Sequence, residues 1–412
     1  MGTVPASSTR TVPGRAVTAA LVAGSIAWIG VVVIALQLAG RSAASLGFDL
    51  ELLLEAGRSV AGGRSPYAPE LVAGGPPLAT SLFYSYPPPV AQAFSVLAAV
   101  PSRVMLVLWS LGAILGFLAV TELLRRRLAP QRSPRVAMSV AAACAPMTLP
   151  FAIGLLFGNL DAWFPFLYGA MLLAAITPGR ATAVGAGLAL VAATAKLHPA
   201  SIGLWFLTRA LRQRAAGGPA SGGLVVVTAG VVGALVVGAS LAFGGTALWS
   251  EYGAVVRSGA QAEIVDPRNA GIAAQVTGLI GGDDALARSL HVIVAVAAVI
   301  VTAWAAWRRP DPVESFAWAT AASLATLPVT WYHYPSALLP IAAAAMLRAS
   351  GEDGRRVSLL VTAGAVVAAG ALVWLPLLWV AVGLIVLAAR VSGEQAGEDE
   401  ASRAGERAPE GG

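Results

Sequence analysis

Predominantly apolar runs rich in Ala, Leu, Val and Ile, 13 to 25 residues long, recur along the chain and are separated by segments carrying Arg, Gly and Pro. A helix rises about 1.5 Å per residue, so roughly 20 apolar residues cross the ~30 Å hydrocarbon core of a bilayer. The pattern predicts crossings at residues 16–40, 104–124, 135–149, 160–176, 182–195, 199–211, 224–243, 287–307, 313–330, 335–347, 357–373 and 374–389. Apolar and polar positions do not alternate, which argues against an outer-membrane β-barrel. The first run exceeds the roughly 7–15 residues of a signal-peptide core and reads as a retained anchor. One further run, residues 87–100, is only 14 residues long and suits an interfacial or re-entrant helix better than a span.

Arginine placement decides whether that short run crosses. If it does not, 19 of the 26 arginines, including Arg125, Arg126 and Arg127, fall on the inner side. If it does, this strongest cluster lands outside, against the positive-inside rule. The expected fold is therefore an all-α polytopic membrane protein with about 12 transmembrane helices and both termini inside. An amphipathic or re-entrant helical region follows the first span on the outer side. Residues 1–15 form an inner tail, residues 16–390 the membrane domain with outer loops 41–103 and 244–286, and residues 391–412 a Gly/Glu/Ala-rich tail expected to be disordered.

Composition narrows the function classes. With 57% hydrophobic and 12% charged residues and a mean hydropathy of +0.75, the chain is no soluble enzyme, and the single cysteine, Cys144, can form no internal disulfide. A net charge of +6 would point to nucleic acid in a soluble protein. Here most of the basic side chains are orienting arginines, and no nucleic-acid partner is expected. There is no phosphate-binding glycine loop, no HExxH and no cysteine pair, and three scattered histidines make no metal site. No cofactor is expected.

Polar residues on the outer half carry the candidate chemistry. Asp49, in Phe48-Asp49-Leu50-Glu51, is either a helix N-cap or a general base just beyond the first span, with Glu51 and Glu55 as competitors. Tyr67 and Tyr86 belong either to an interfacial aromatic belt or to a groove for a sugar or lipid-linked donor. Asp161, after Gly158-Asn159, reads as a solvated carboxylate at the end of a span. Lys196 and His198, in Ala195-Lys196-Leu197-His198-Pro199, lie between two short apolar runs. They either snorkel to the interface or contact a phosphate, since an unpaired lysine in a span is costly. His333, among Trp331, Tyr332 and Tyr334, is either an interfacial histidine or a phosphate contact. Arg257, Asp266, Arg268 and Asn269 are solvated loop residues or ligand contacts.

Taken in order, Phe48-Asp49, Gly63-Arg64-Ser65-Pro66-Tyr67, Tyr86-Pro87-Pro88, Trp109, Gly158-Asn159, Lys196-x-x-Pro199 and Trp331-x-His333 give the chain a family likeness. It resembles the polyprenyl-phosphate-mannose-dependent α-mannosyltransferases of actinobacteria, glycosyltransferase family 87, of the GT-C fold class. The resemblance spans about residues 16–390. One departure is Asn159, where glutamine is as common in the family.

The resemblance implies transfer of mannose, with inversion and without a metal, from a polyprenyl-phosphate donor to a hydroxyl of a glycolipid or glycan acceptor. The reaction would take place at the outer face of the plasma membrane, among membrane lipids. It implies Asp49 as general base and Lys196 and His333 at the departing phosphate. His198, Tyr67, Tyr86, Asn159, Arg257 and Arg268 complete the expected substrate contacts. A transporter or flippase of lipid-linked sugars, or a GT-C transferase of another sugar, is the alternative. A transporter needs polar groups reachable from both sides, whereas the candidates here gather on one, and no internal repeat is visible.

Overall fold

The computed structural model describes residues 46–75, 83–144, 148–177, 179–218, 222–264 and 266–406. The tail at 1–15 and the first expected span at 16–40 lie outside them. Regular structure among the described residues is helical throughout. α1 (Phe48–Ala61), a short α2 (Pro69–Val72) and α3 (Pro88–Ser95) precede the long α4 (Ser102–Leu128). α5 (Pro134–Ala143), α6 (Thr148–Phe157), a 3-10 turn (Leu160–Trp163) and α7 (Phe164–Ile176) follow. Next come α8 (Ala181–Ala195), α9 (Ala200–Ala215), α10 (Gly222–Glu263) and α11 (Ile272–Ile280). The chain ends with α12 (Asp284–Arg308), α13 (Pro312–Ala325), a 3-10 turn (Tyr334–Leu338), α14 (Leu339–Arg348), α15 (Gly351–Gly370) and α16 (Leu377–Glu406).

Four of these helices contain segments long and apolar enough to cross a membrane: Ser102–Leu128, Gly222–Ser258, Asp284–Arg308 and Leu377–Glu394. Their outward faces are apolar. Leu108, Leu111 and Leu115 on α4, and Val292, Val296 and Ile300 on α12, are exposed at helical spacing. Stripes of this kind would be untenable in water, and lipid is the solvent that fits them. The shorter helices α13 and α14 sit inside; nearly every side chain of each is buried, and α14 packs on α4, α7 and α16. An Ala-rich helix buried all round lets its neighbours approach closely, as membrane packing favours.

The sequence pattern and the helices differ in four places, each with a local cause. The run at 135–149 extends to Phe157 as α5 and α6, because Pro150 falls in the first turn of α6, where proline costs no hydrogen bond. The helix expected at 313–330 stops at Ala325, releasing 326–333 as a loop into the site described below. The expected second outer loop is partly helical: α10 runs through Gly245, whose φ of 66° and ψ of −172° break the helix, and continues to Glu263. At that break Gln92 Nε2 donates to Ser240 O (2.9 Å), and Trp249 Nε1 donates to Ser240 Oγ. α3 thus ties onto α10 in the turn before the break. Finally, α16 continues to Glu406 through most of the tail read as disordered, since Ala, Glu and Arg are strong helix formers.

Candidate active site

α1 starts at Gly47, whose φ of 72° turns the chain into the helix and whose N–H donates to Leu156 O at the end of α6 (2.7 Å). Asp49 is therefore no N-cap; it lies within the first turn, and no side chain caps this helix. Leu50, Leu53 and Leu54 bury one face of α1, packing with Val90, Ala91 and Phe94 of α3. The other carboxylates separate from Asp49 by environment. Burial raises Asp49 above its usual value of 3.8, with Asn159 and the nearby Lys196 and His333 pulling the other way. Ser102 and Arg58 hold Glu51 below its usual value, and Arg58 also pairs with Glu55 at 3.0 Å. Of these carboxylates, Asp49 is the one hydrogen-bonded to Asn159 and so joined to the residues described next.

Gly158 and Asn159 bring the rest of the site to it. Gly158 has φ +69°, and a Cβ there would lie 2.5 Å from Leu50 Cβ, so the turn presses directly on α1. Asn159 then faces both ways: Nδ2 donates to Asp49 Oδ2 (2.7 Å), while Oδ1 accepts from the Asp161 N–H (2.9 Å). Its own carbonyl accepts from Trp109 Nε1 (3.2 Å). Gly158→Ala combines a left-handed backbone with a clash against Leu50. The backbone term alone costs about 1–2 kcal/mol. We expect a lowered unfolding midpoint in detergent and a turnover loss that exceeds it, because Asn159 would leave Asp49. Unchanged turnover would mean that the Asn159–Asp49 bond has no part in activity.

Asp161 is fully buried, not solvated as its place at the end of a span implied. Its Oδ2 takes Lys196 Nζ at 2.6 Å and faces His333 Nε2 at 3.0 Å. Lys196 follows the last residue of α8 in an extended conformation, ahead of the proline that starts α9, so the helix break frees it to reach inward. Its side chain is 11% exposed and its ammonium lies 3.7 Å from the Tyr334 ring centroid. Snorkelling to the interface is thereby overturned. Tyr86 is the second aromatic near this ammonium, at 6.0 Å. His333 arrives on the loop after α13, and that loop is knotted by Asn269, whose Oδ1 accepts from the N–H groups of Gly271 and Thr330 and whose Nδ2 donates to Ile264 O and Pro328 O.

The structure thus joins Asp49, Asn159, Asp161, Lys196 and His333 in one cluster. His198 lies behind it: 1% exposed, its Nδ1 hydrogen-bonded to the Tyr168 hydroxyl (3.0 Å), with its ring stacked between Tyr168 and Tyr334. Tyr67 is also buried and donates to Tyr86 O (3.0 Å), holding the loop that presents Tyr86. Arg257 is exposed on the continuation of α10, and no contact among the described residues ties it to the cluster. Arg268 pairs with Asp266 (2.6 Å) and lies 5.7 Å from the Trp331 ring centroid, at the edge of the loop carrying His333. Sequence reasoning undervalued Asp161 and Asn269. The signal for Asp161 was the single lysine at position 196: a buried cation requires an anion, and Asp161 was the candidate at the same level of the fold.

Chemically, the cluster offers a carboxylate raised by burial at the start of α1 and, one asparagine away, a lysine ammonium and a histidine ring gathered on a buried carboxylate. Among the described residues no group of three or more His, Cys, Asp or Glu side chains is set to hold a metal ion. The sequence profile of glycosyltransferase family 87 matches residues 84–331, more than half of the chain. The match includes Tyr86, Asn159, Asp161, Lys196 and His198, begins after Asp49 and ends two residues before His333. No curated protein matches the chain.

Proposed function

The chain belongs to glycosyltransferase family 87, and from that premise we propose that it transfers mannose from polyprenyl-phosphate mannose to a hydroxyl of a glycolipid or glycan at the outer face of the plasma membrane. The observation that carries this reading is the joining of Asp49, through Asn159, to the Lys196–His333 pair. An inverting transfer needs a base on one face of the sugar carbon and an anion seat on the other. The acceptor oxygen attacks C1 as Asp49 takes its proton. The C1–O bond to phosphate breaks, and its electron pair leaves on the phosphate oxygen. Lys196 and His333 receive that charge, which is electrostatic stabilisation where charge develops. Asp161 keeps the lysine and the histidine in place before substrate arrives.

The reading is tested by incubating the purified protein with radiolabelled polyprenyl-phosphate mannose and a panel of mannosylated glycolipids. Label moving into a glycolipid supports it. Label remaining in the donor with every acceptor, while reconstituted vesicles translocate the lipid-linked sugar, would favour a flippase instead.

The outer-face assignment uses 12 crossings and a non-crossing 87–100, where α3 is eight residues long. Arg64 and Gln131 are both exposed, on opposite sides in this topology. In a Cys144→Ala background, Arg64→Cys in intact cells should react with an impermeant maleimide, and Gln131→Cys should react only after lysis. Labelling of Gln131→Cys from outside would reverse the orientation.

A further inference from the structure

Past Asp49, α1 borders an open cavity of about 200 Å³. Leu52, Glu55, Ala56 and Ser59 of α1 form one wall, and Tyr67, Phe83 and Tyr84 form another. Asp49, Leu52 and Ala56 follow one another at i, i+3 and i+7, on one side of the helix. The cavity therefore begins one turn beyond the Asp49 carboxylate and extends to Ser59, about 15 Å along the axis. The Lys196–His333 pair joins α1 at the opposite, N-terminal end, through Asn159. Asp49 stands between the two.

The chemistry of the walls is specific. Tyr67 and Tyr84 commit their hydroxyl protons to Tyr86 O (3.0 Å) and Pro87 O (3.3 Å), so beyond an acceptor oxygen what they offer a ligand is ring surface. Glu55 gives one oxygen to Arg58 and keeps further acceptor capacity, and Ser59 adds a hydroxyl. Aromatic surface beside a carboxylate and a hydroxyl suits a pyranose, which has C–H faces and a rim of hydroxyl groups. The volume is below the roughly 300–1,000 Å³ of sites for drug-sized ligands and fits about one sugar ring.

We infer that this cavity is the acceptor subsite, and that it holds a saccharide ring adjacent to the one whose hydroxyl is presented to Asp49. The inference rests on the transferase reading and adds where the acceptor lies and that it carries at least two rings. Its test uses the full-length protein in detergent with soluble methyl disaccharides of mannose, glucose and galactose. Binding is followed without donor by saturation-transfer NMR, and transfer is followed with saturating polyprenyl-phosphate mannose.

At least one disaccharide should bind saturably. Glu55→Gln and Phe83→Ala should each weaken that binding about tenfold and raise the acceptor KM by the same factor, leaving the donor KM unchanged. Glu55→Gln keeps the shape of the side chain and guards against misfolding of the Phe83 variant. Binding that weakens in these variants supports the subsite even if no sugar is transferred, a result that would count against the transferase reading alone. Absence of disaccharide binding, or binding and acceptor KM indifferent to both substitutions, overturns it.

Discussion

Asp49→Asn should lower turnover by roughly 10²-fold or more while the donor still binds. General base catalysis contributes about 10²–10⁴-fold, and the asparagine keeps the size of the side chain while removing its basicity. The comparison that gives the result meaning is Glu51→Gln. Glu51 is held below its ordinary value by Ser102 and Arg58 on an exposed part of α1, so its loss should change turnover little. The pH profile adds a second signature. Burial raises Asp49, and the base must be deprotonated to act, so kcat/KM should fall on the acid side at a pH above the ordinary aspartate value near 3.8. That limb should be absent from the residual activity of Asp49→Asn. An unshifted limb in the variant would assign it to another group.

Lys196→Ala should be the most damaging single change to the anion seat, and by two routes that can be separated. Removing the ammonium leaves the buried Asp161 carboxylate without its lysine and with only the His333 ring facing it; breaking one side of a buried ion pair costs about 3–5 kcal/mol. The unfolding midpoint in detergent should therefore drop sharply. Lys196→Ala combined with Asp161→Asn removes the stranded charge, so most of that loss should be recovered. Donor KM should stay high in both variants, because neither can place the Lys196 ammonium on the phosphate. If the double variant regained donor affinity along with stability, Lys196 would be a structural ion-pair partner and the phosphate would bind elsewhere.

The all-helical membrane character was legible in the hydrophobic runs, because a lipid-facing bundle needs mainly apolar length, and four helices among the described residues have enough of it to cross. Breaks were harder to read. Gly245 is one of 45 glycines, and nothing local distinguishes the one near whose break Gln92 donates to Ser240 O, across 148 positions of sequence. The site shows the same division. Asp49, Lys196 and His333 stood out because each is a polar residue next to an apolar run. Asp161 looked like an ordinary solvated end, since its burial is created by the Lys196 and His333 segments arriving from 35 and 172 residues further along. His198, two positions from Lys196, looked equivalent to it, yet the turn into α9 sends its ring inward against Tyr168 and Tyr334.

The central claim is that the donor phosphate sits between Lys196 and His333 with Asp49 across the sugar carbon from it. A structure of the protein bound to a non-transferable phosphonate analogue of polyprenyl-phosphate mannose tests this most directly. The account predicts phosphonate oxygens within hydrogen-bond distance of Lys196 Nζ and the His333 ring, C1 turned toward Asp49, and the lipid chain leaving toward the bilayer. A phosphonate bound away from both Lys196 and His333, or one seated there with C1 facing away from Asp49, would contradict it.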